Sequence, residues 1–231
     1  MTYFVSDIHG EYDLFLKLLD KVRFSDSDTM YVLGDIIDKG SSSIKLVDFI
    51  RHKPNIKAIL GNHEFIFLKF YDGLMRSAKS ADDIAEVLQK LQEYFPNDKE
   101  ILSWETVDYI ESLPFYIETD DFICVHAGVE TDENGIILPM KTQIPEVMVY
   151  SRNFKEKSFP FAAENKPVLF GHTPCSYENG SREFIKTPKE GVASPKILAD
   201  YSKIRLDCGV FLTGVLGALR LEDMQEFYVE K

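Results

Sequence analysis

The stretch "YVLGDIIDKG", residues 31–40, opens as a β-strand and closes on two aspartates, a lysine and a glycine. Aromatic and β-branched residues favour extended backbone. A carboxylate at a strand exit points to a ligand, because open α/β sheets bind in the crevice beyond the carboxyl ends of their strands. The neighbouring sequence supplies the sheet. "YFVS" (3–6) and "IKAIL" (56–60) read as further strands. Between them, 11–22 sets Leu14, Phe15, Leu18, Leu19 and Val22 on one helical face, and 44–52 does the same with Ile44, Val47 and Ile50. Strands alternating with helices of this length make βαβ units and a parallel sheet.

Residues 64–115 change character. Ile84, Val87, Leu88, Leu91 and Phe95 predict a helix from about Ala81, stopped by Pro96 and Asn97. It falls within a helical, cap-like insertion at about 65–115 that also carries exposed-looking aromatics at Phe65, Phe67, Phe70 and Tyr71. After Pro114, strands are predicted at 122–126, 168–172, 203–209, 215–221 and 226–229. The glycine-spaced closing run leaves no room for crossover helices and is expected to be antiparallel. Residues 130–166 and 176–202 read as long loops. The economical reading is one α/β domain over 1–231.

Composition narrows the function. Lys and Arg number 26 against 38 Asp and Glu, a net charge of −12 that repels a phosphate backbone and argues against nucleic acid as a partner. No apolar run approaches the roughly 20 residues that span a bilayer, so no membrane partner is expected. The opening "MTYFVSDIHG" has no leader pattern. Cys124, Cys175 and Cys208 are widely spaced, without a CxxC pair. They read as reduced thiols, which fits a cytoplasmic location.

The predicted strands end alike: "SDIHG" after the first, "GDIIDKG" and "GNHE" after the next two, then "VHAG" and "FGHTP". Of five histidines, four (His9, His63, His126 and His172) follow strands beside glycine, a carboxylate or an amide, and only His52 sits in a charged helix end. Taken singly, each would pass as turn chemistry or a buried histidine. Together they place oxygen and imidazole donors on one rim, a set that suits Mn²⁺, Fe²⁺ or Zn²⁺. Six donors exceed the need of one zinc with an open position. They suffice for two metals about 3.5–4 Å apart that share a carboxylate, an arrangement suited to in-line displacement at a phosphoester.

In this ordered set of motifs, with the closing "LDCGVFLTGVLGALRLE", the chain resembles the calcineurin-like metallophosphoesterases. Within them it looks like the serine/threonine phosphoprotein phosphatases, particularly their small bacterial and phage members. The resemblance spans residue 6 to about 222. It implies a four-layer α/β/β/α sandwich of two mixed sheets with a helical insertion. It also implies two divalent metals, Mn²⁺ first and Fe or Zn as alternatives. Asp7, His9 and Asp35 would hold one metal; Asp35 would bridge to the other, completed by Asn62, His126 and His172. A metal-bridging hydroxide would be the nucleophile, and His63, oriented by Asp38, the general acid. Lys39, Arg152 and Asn62 would grip the phosphate, with Asp207 supporting the ligands from behind. Lys39 departs from the family, which carries arginine there; lysine supplies the charge without the planar fork.

The substrate implied is a phosphoprotein or a small phosphorylated molecule. The alternative is a dinucleotide polyphosphate such as diadenosine tetraphosphate, although that branch generally lacks the aspartate found here as Asp38. A phosphodiesterase or a non-catalytic scaffold fits less well, the first because of the acidic balance and the second because the whole ligand set is intact.

Overall fold

A computed structural model describes residues 1–180 and 182–231, with the backbone alone at Asn179. Two five-stranded mixed sheets stack on one another. The first has the order β10-β9-β1-β2-β3, with β1 Thr2–Val5, β2 Thr29–Val32, β3 Ile56–Ala58, β9 Val215–Arg220 and β10 Glu226–Glu230. β1, β2 and β3 run parallel, as their crossover helices α1 (Tyr12–Val22) and α2 (Ser43–Arg51) require. The second has the order β4-β5-β6-β8-β7, with β4 Tyr116–Glu118, β5 Ile123–Val125, β6 Val168–Phe170, β7 Ile185–Pro188 and β8 Tyr201–Arg205.

Strand alternation divides the core. Phe4, Tyr31 and Leu33 of the first sheet bury against Phe122, Cys124, Leu169 and Ile204 of the second, and the Phe4 and Phe122 rings meet edge to face at 5.1 Å. Tyr3, Val5, Met30 and Val32 point the other way, under Leu14 and Leu18 of α1 and Val47 and Ile50 of α2. On the far face of the second sheet, Val125, Val168 and Phe170 lie under Met148 and Phe154. The layers are helix, sheet, sheet, and a partly helical cover that includes α6, Pro145–Tyr150. Each of these side chains contributes roughly 1.5–3 kcal/mol on burial.

The structure departs from expectation at several points. Between β3 and β4 lie three helices, α3 (Asn62–Ser77), α4 (Ala81–Gln92) and α5 (Trp104–Ser112), where periodicity indicated only the second. Phe67 is fully buried, because it faces Tyr94 and Phe95 across the α3–α4 contact. Ile84 is exposed on α4, whose buried side is carried by Val87 and Leu91. The closing run is split. β9 and β10 pair antiparallel, but β8 sits in the other sheet, parallel to β6 and antiparallel to β7. β8 also stops at Arg205, so Asp207 to Gly209 leave the sheet and turn toward the rim. The two stretches read as loops contain α6, β7, the short helix α7 (Ser176–Asn179) and single 3₁₀ turns. Among the described residues, no helix is long and apolar enough to cross a membrane.

Candidate functional site

Every strand exit singled out in the sequence arrives at one rim. Asp7 and His9 follow β1, Asp35 to Lys39 follow β2, and Asn62 and His63 form the first turn of α3 after β3. His126 follows β5, His172 follows β6, Asp207 follows β8, and Arg152 lies just past α6. The backbone is bent hard to deliver them. Among the described residues, eight non-glycines have positive φ, and six of these are Asp7, His9, Asp35, Asp38, Lys39 and His172. Such conformations cost of order 1–3 kcal/mol each and persist where the surroundings over-determine them. Close approach adds a demand for glycine. A Cβ on Gly61 would overlap the backbone nitrogen and carboxylate of Asp35, and one on Gly171 would overlap Ser6 and Asp7.

Asp35 is at the centre. Its Oδ2 faces His9 Nε2 at 3.6 Å and His63 Nε2 at 3.9 Å, while Oδ1 faces His126 Nε2 at 3.4 Å. Two compact triads result, His9–Asp35–His63 and Asp7–Asp35–His126, each close enough to hold a metal ion, and Asp35 belongs to both. This grouping differs from the split implied by the resemblance, which sets Asp7 with His9 and leaves His63 outside. Asn62 joins the cluster through Oδ1, 3.0 Å from His126 Nε2 and 2.8 Å from His172 Nδ1. The main chain of His172 donates to both carboxylate oxygens of Asp7, at 3.2 and 3.1 Å.

The donor set is that of a cation site. His9 Nδ1 lies 3.1 Å from the Ile37 carbonyl and His126 Nδ1 lies 2.8 Å from that of Leu33. These contacts turn both Nε2 atoms inward, with a free lone pair on His9, the orientation expected of metal-ligating imidazole. The Lys39 ammonium sits 2.9 Å from His9 Nε2, a positive charge placed against that lone pair. His172 Nε2 is buried without a hydrogen-bond partner. Protonation follows the same field. Burial pushes Asp7 well above the usual carboxylate range, and Asp207 adds to it. Burial works against charge on His126, yet Asp35 and Asp7 outweigh it and push the ring up to about 10. Burial, helped by Lys39 and His63, holds His9 down to about 4. Burial raises Asp207 to about 6. Carboxylates that repel one another, neutral imidazoles at His9 and His172, and a His126 proton that a cation would displace accommodate divalent metals, so the residues fit the metals that the resemblance implies.

His63 stands apart by its partner. Its Nδ1 lies 2.6 Å from Asp38 Oδ2. Burial opposes charge on the ring, but this hydrogen bond and Asp35 raise its pKa above the ordinary value. Asp38 is lowered, chiefly by the same bond, and is fixed by accepting the Lys39 main-chain N–H at 2.7 Å. Lys39 and Arg152 line a cavity of about 270 Å³ together with Asp7, His9, His172 and Asp207. Asp207 accepts the Gly209 N–H at 2.7 Å and so shapes the turn beside the ligands.

Sequence reasoning missed Glu64, the last residue of "GNHE". It is fully buried. One oxygen accepts from Ile36 and Ile37 at 2.8 and 3.0 Å, and the other from Asp35 and Gly61 at 2.9 and 2.8 Å. A single carboxylate therefore clamps the β2 exit to the start of α3. The motif held the residue, but nothing local indicates that it bonds backbone nearly thirty positions away.

The profile of the calcineurin-like phosphoesterases matches residues 2–201. The chain belongs to that family. Among similar sequences are symmetrical bis(5'-nucleosyl)-tetraphosphatases. One from Vibrio campbellii is 32% identical over 130 residues, covering 55% of this chain and 44% of that protein. One from Salmonella paratyphi C is 30% identical over 132 residues, covering 55% and 43%. The match spans less than half the length of these relatives. Among solved structures, a chain assigned provisionally as a diadenosine tetraphosphatase superposes with a TM-score of 0.69 at 21% identity, covering 99% of this phosphoesterase and 92% of itself. A cold-active protein tyrosine phosphatase gives 0.57 at 18%, covering 100% and 78%. A serine/threonine phosphatase from Saccharomyces cerevisiae gives 0.53 at 15%, covering 99% and 78%. At such identities these likenesses carry the fold alone.

Proposed function

We propose that this phosphoesterase hydrolyses dinucleotide polyphosphates of the diadenosine tetraphosphate class at a dinuclear metal centre. The substrate choice is carried by its 30–32% identity to symmetrical bis(5'-nucleosyl)-tetraphosphatases. Asp7, His9, Asp35, Asn62, His126 and His172 would hold the metals, Mn²⁺ by preference, with Asp35 shared. Two divalent cations there would supply Lewis-acid charge at phosphorus and acidify a water. The chain's own residues do the rest. Lys39 and Arg152 bind the non-bridging oxygens of the substrate, with Asn62 beside them. His63 Nε2 gives a proton to the leaving oxygen while Asp38 holds Nδ1 and stabilises the imidazolium. Asp207 shapes the turn beside the ligands by accepting the Gly209 N–H.

One observation favours a second reading, the hydrolysis of phosphoserine or phosphothreonine in proteins. The Asp38–His63 hydrogen bond of 2.6 Å builds a proton donor. An alkoxide leaving group needs one, whereas a nucleoside diphosphate leaves as a stabilised anion. The test is a panel on the Mn²⁺-loaded chain: diadenosine tetraphosphate, phosphoserine and phosphothreonine peptides, and a simple phosphodiester. The proposal expects the highest kcat/KM on the dinucleotide, with ADP as product. Higher kcat/KM on the phosphopeptides would overturn it in favour of the second reading.

A further inference from the structure

The cavity beside the metal-ligand cluster has a second wall that the chemistry above does not use. Pro174, Tyr177, Phe211 and Leu212 line it opposite in character to Asp7, His9 and the two cations. Tyr177, Phe211 and Leu212 are 65%, 56% and 54% exposed. Single exposed apolar side chains are ordinary on a protein surface, but three large ones on the wall of one charged cavity form a recognition surface. The polar and apolar walls are in contact. Lys39 Nζ, 2.9 Å from His9 Nε2, also lies 5.9 Å from the centre of the Phe211 ring.

Both apolar elements are held in place. Phe211 and Leu212 ride on the short helix α8, Val210–Thr213, which starts after Gly209 and ends at Gly214, both left-handed. Val210 anchors this turn in the core, and Thr213 Oγ1 donates to the Cys208 carbonyl at 2.9 Å. Tyr177 sits on α7 next to Glu178, which pairs with the buried Arg205 of β8. A rigid wall loses little conformational freedom when a ring is laid on it.

We propose that Phe211 and Tyr177 form a seat for the planar base of a nucleotide whose phosphate is held by Lys39 and Arg152. A nucleotide presents this combination, an anion and an aromatic face one sugar apart. The proposal rests on the dinucleotide reading above and specifies where one base of that substrate goes. Stacking on an aromatic side chain is sequence-tolerant, so the seat takes adenine and guanine alike.

The test is calorimetric titration of the Mn²⁺-loaded chain with AMP and with inorganic phosphate, which differ by the nucleoside alone. Wild type is expected to bind AMP roughly ten- to a hundredfold tighter than phosphate, the worth of one stacked base. Phe211→Ala and Tyr177→Ala are each expected to shrink that ratio toward one, and Phe211→Trp to keep it. Both positions are exposed, so truncation leaves the core intact. An AMP affinity equal to that of phosphate in wild type, or a ratio that survives both alanine variants, overturns the seat. Binding of neither ligand counts against it equally. Cleavage of diadenosine tetraphosphate without an AMP preference would sink the seat alone. An AMP preference without that cleavage would leave the seat standing and remove the dinucleotide reading.

Discussion

Glu64 offers the sharpest test of how the site is held. Its carboxylate takes four buried main-chain N–H groups, from Asp35, Ile36, Ile37 and Gly61, at 2.8 to 3.0 Å. In Glu64→Gln one oxygen still accepts two of them, while the new NH₂ faces the other two donor to donor. Each orphaned buried N–H costs about 1–3 kcal/mol, so the variant is expected to lose roughly 2–6 kcal/mol. Against a typical stability of about 5–15 kcal/mol that is a large fraction. Urea unfolding followed by far-UV circular dichroism reads it. Because the clamp positions Asp35, Mn²⁺ binding should weaken in the same variant under conditions where it remains folded. Glu64→Ala strips all four partners and adds a cavity, and should not fold stably. A Glu64→Gln protein within about 1 kcal/mol of wild type, with unchanged Mn²⁺ affinity, would refute the reasoning, since unmade buried hydrogen bonds cannot be that cheap.

Three further substitutions probe the neighbouring parts. His63→Asn should lower turnover of an alkyl phosphate by about 10²–10⁴ and of an aryl phosphate much less, because only the poor leaving group needs the proton; equal losses on both would count against His63 as the acid. Lys39→Arg restores a planar, two-pronged donor and should lower the KM for a phosphomonoester several-fold with kcat nearly unchanged; steady-state kinetics that do not move would show that residue 39 does not touch the substrate. Gly171→Ala drives a methyl into Ser6 and Asp7, and overpacking of this kind costs about 1–3 kcal/mol. Its thermal midpoint should fall and Mn²⁺ binding weaken together, whereas an unperturbed midpoint would mean the β1 and β6 exits are looser than they look.

Much of this was legible in sequence where the signal is local. The β-forming runs and the 3.6-residue helical stripes of the first sixty residues set β1 to β3 parallel, and the polar residues at their ends fell on one rim because parallel strands exit on the same side. The rest depends on distant contacts. α3 hid because Asn62, His63 and Glu64 read as a turn and the apolar run after them lacks a clean stripe. β8 joined the second sheet, parallel to β6, where proximity in sequence suggested β9. Glu64 stayed invisible because its partners are main-chain groups, which have no residue type to recognise. Phe211 and Tyr177 share a cavity wall only because β8 and β6 end side by side.

The central claim is that the exits of both sheets build one site for two metal ions with Asp35 between them. Calorimetric titration of the metal-free chain with Mn²⁺, paired with electron paramagnetic resonance, tests it without relying on turnover. The account predicts two ions per chain with a spin-coupled spectrum, and loss of the coupling in Asp35→Asn. A single uncoupled Mn²⁺, or a coupled pair that survives Asp35→Asn, would contradict it.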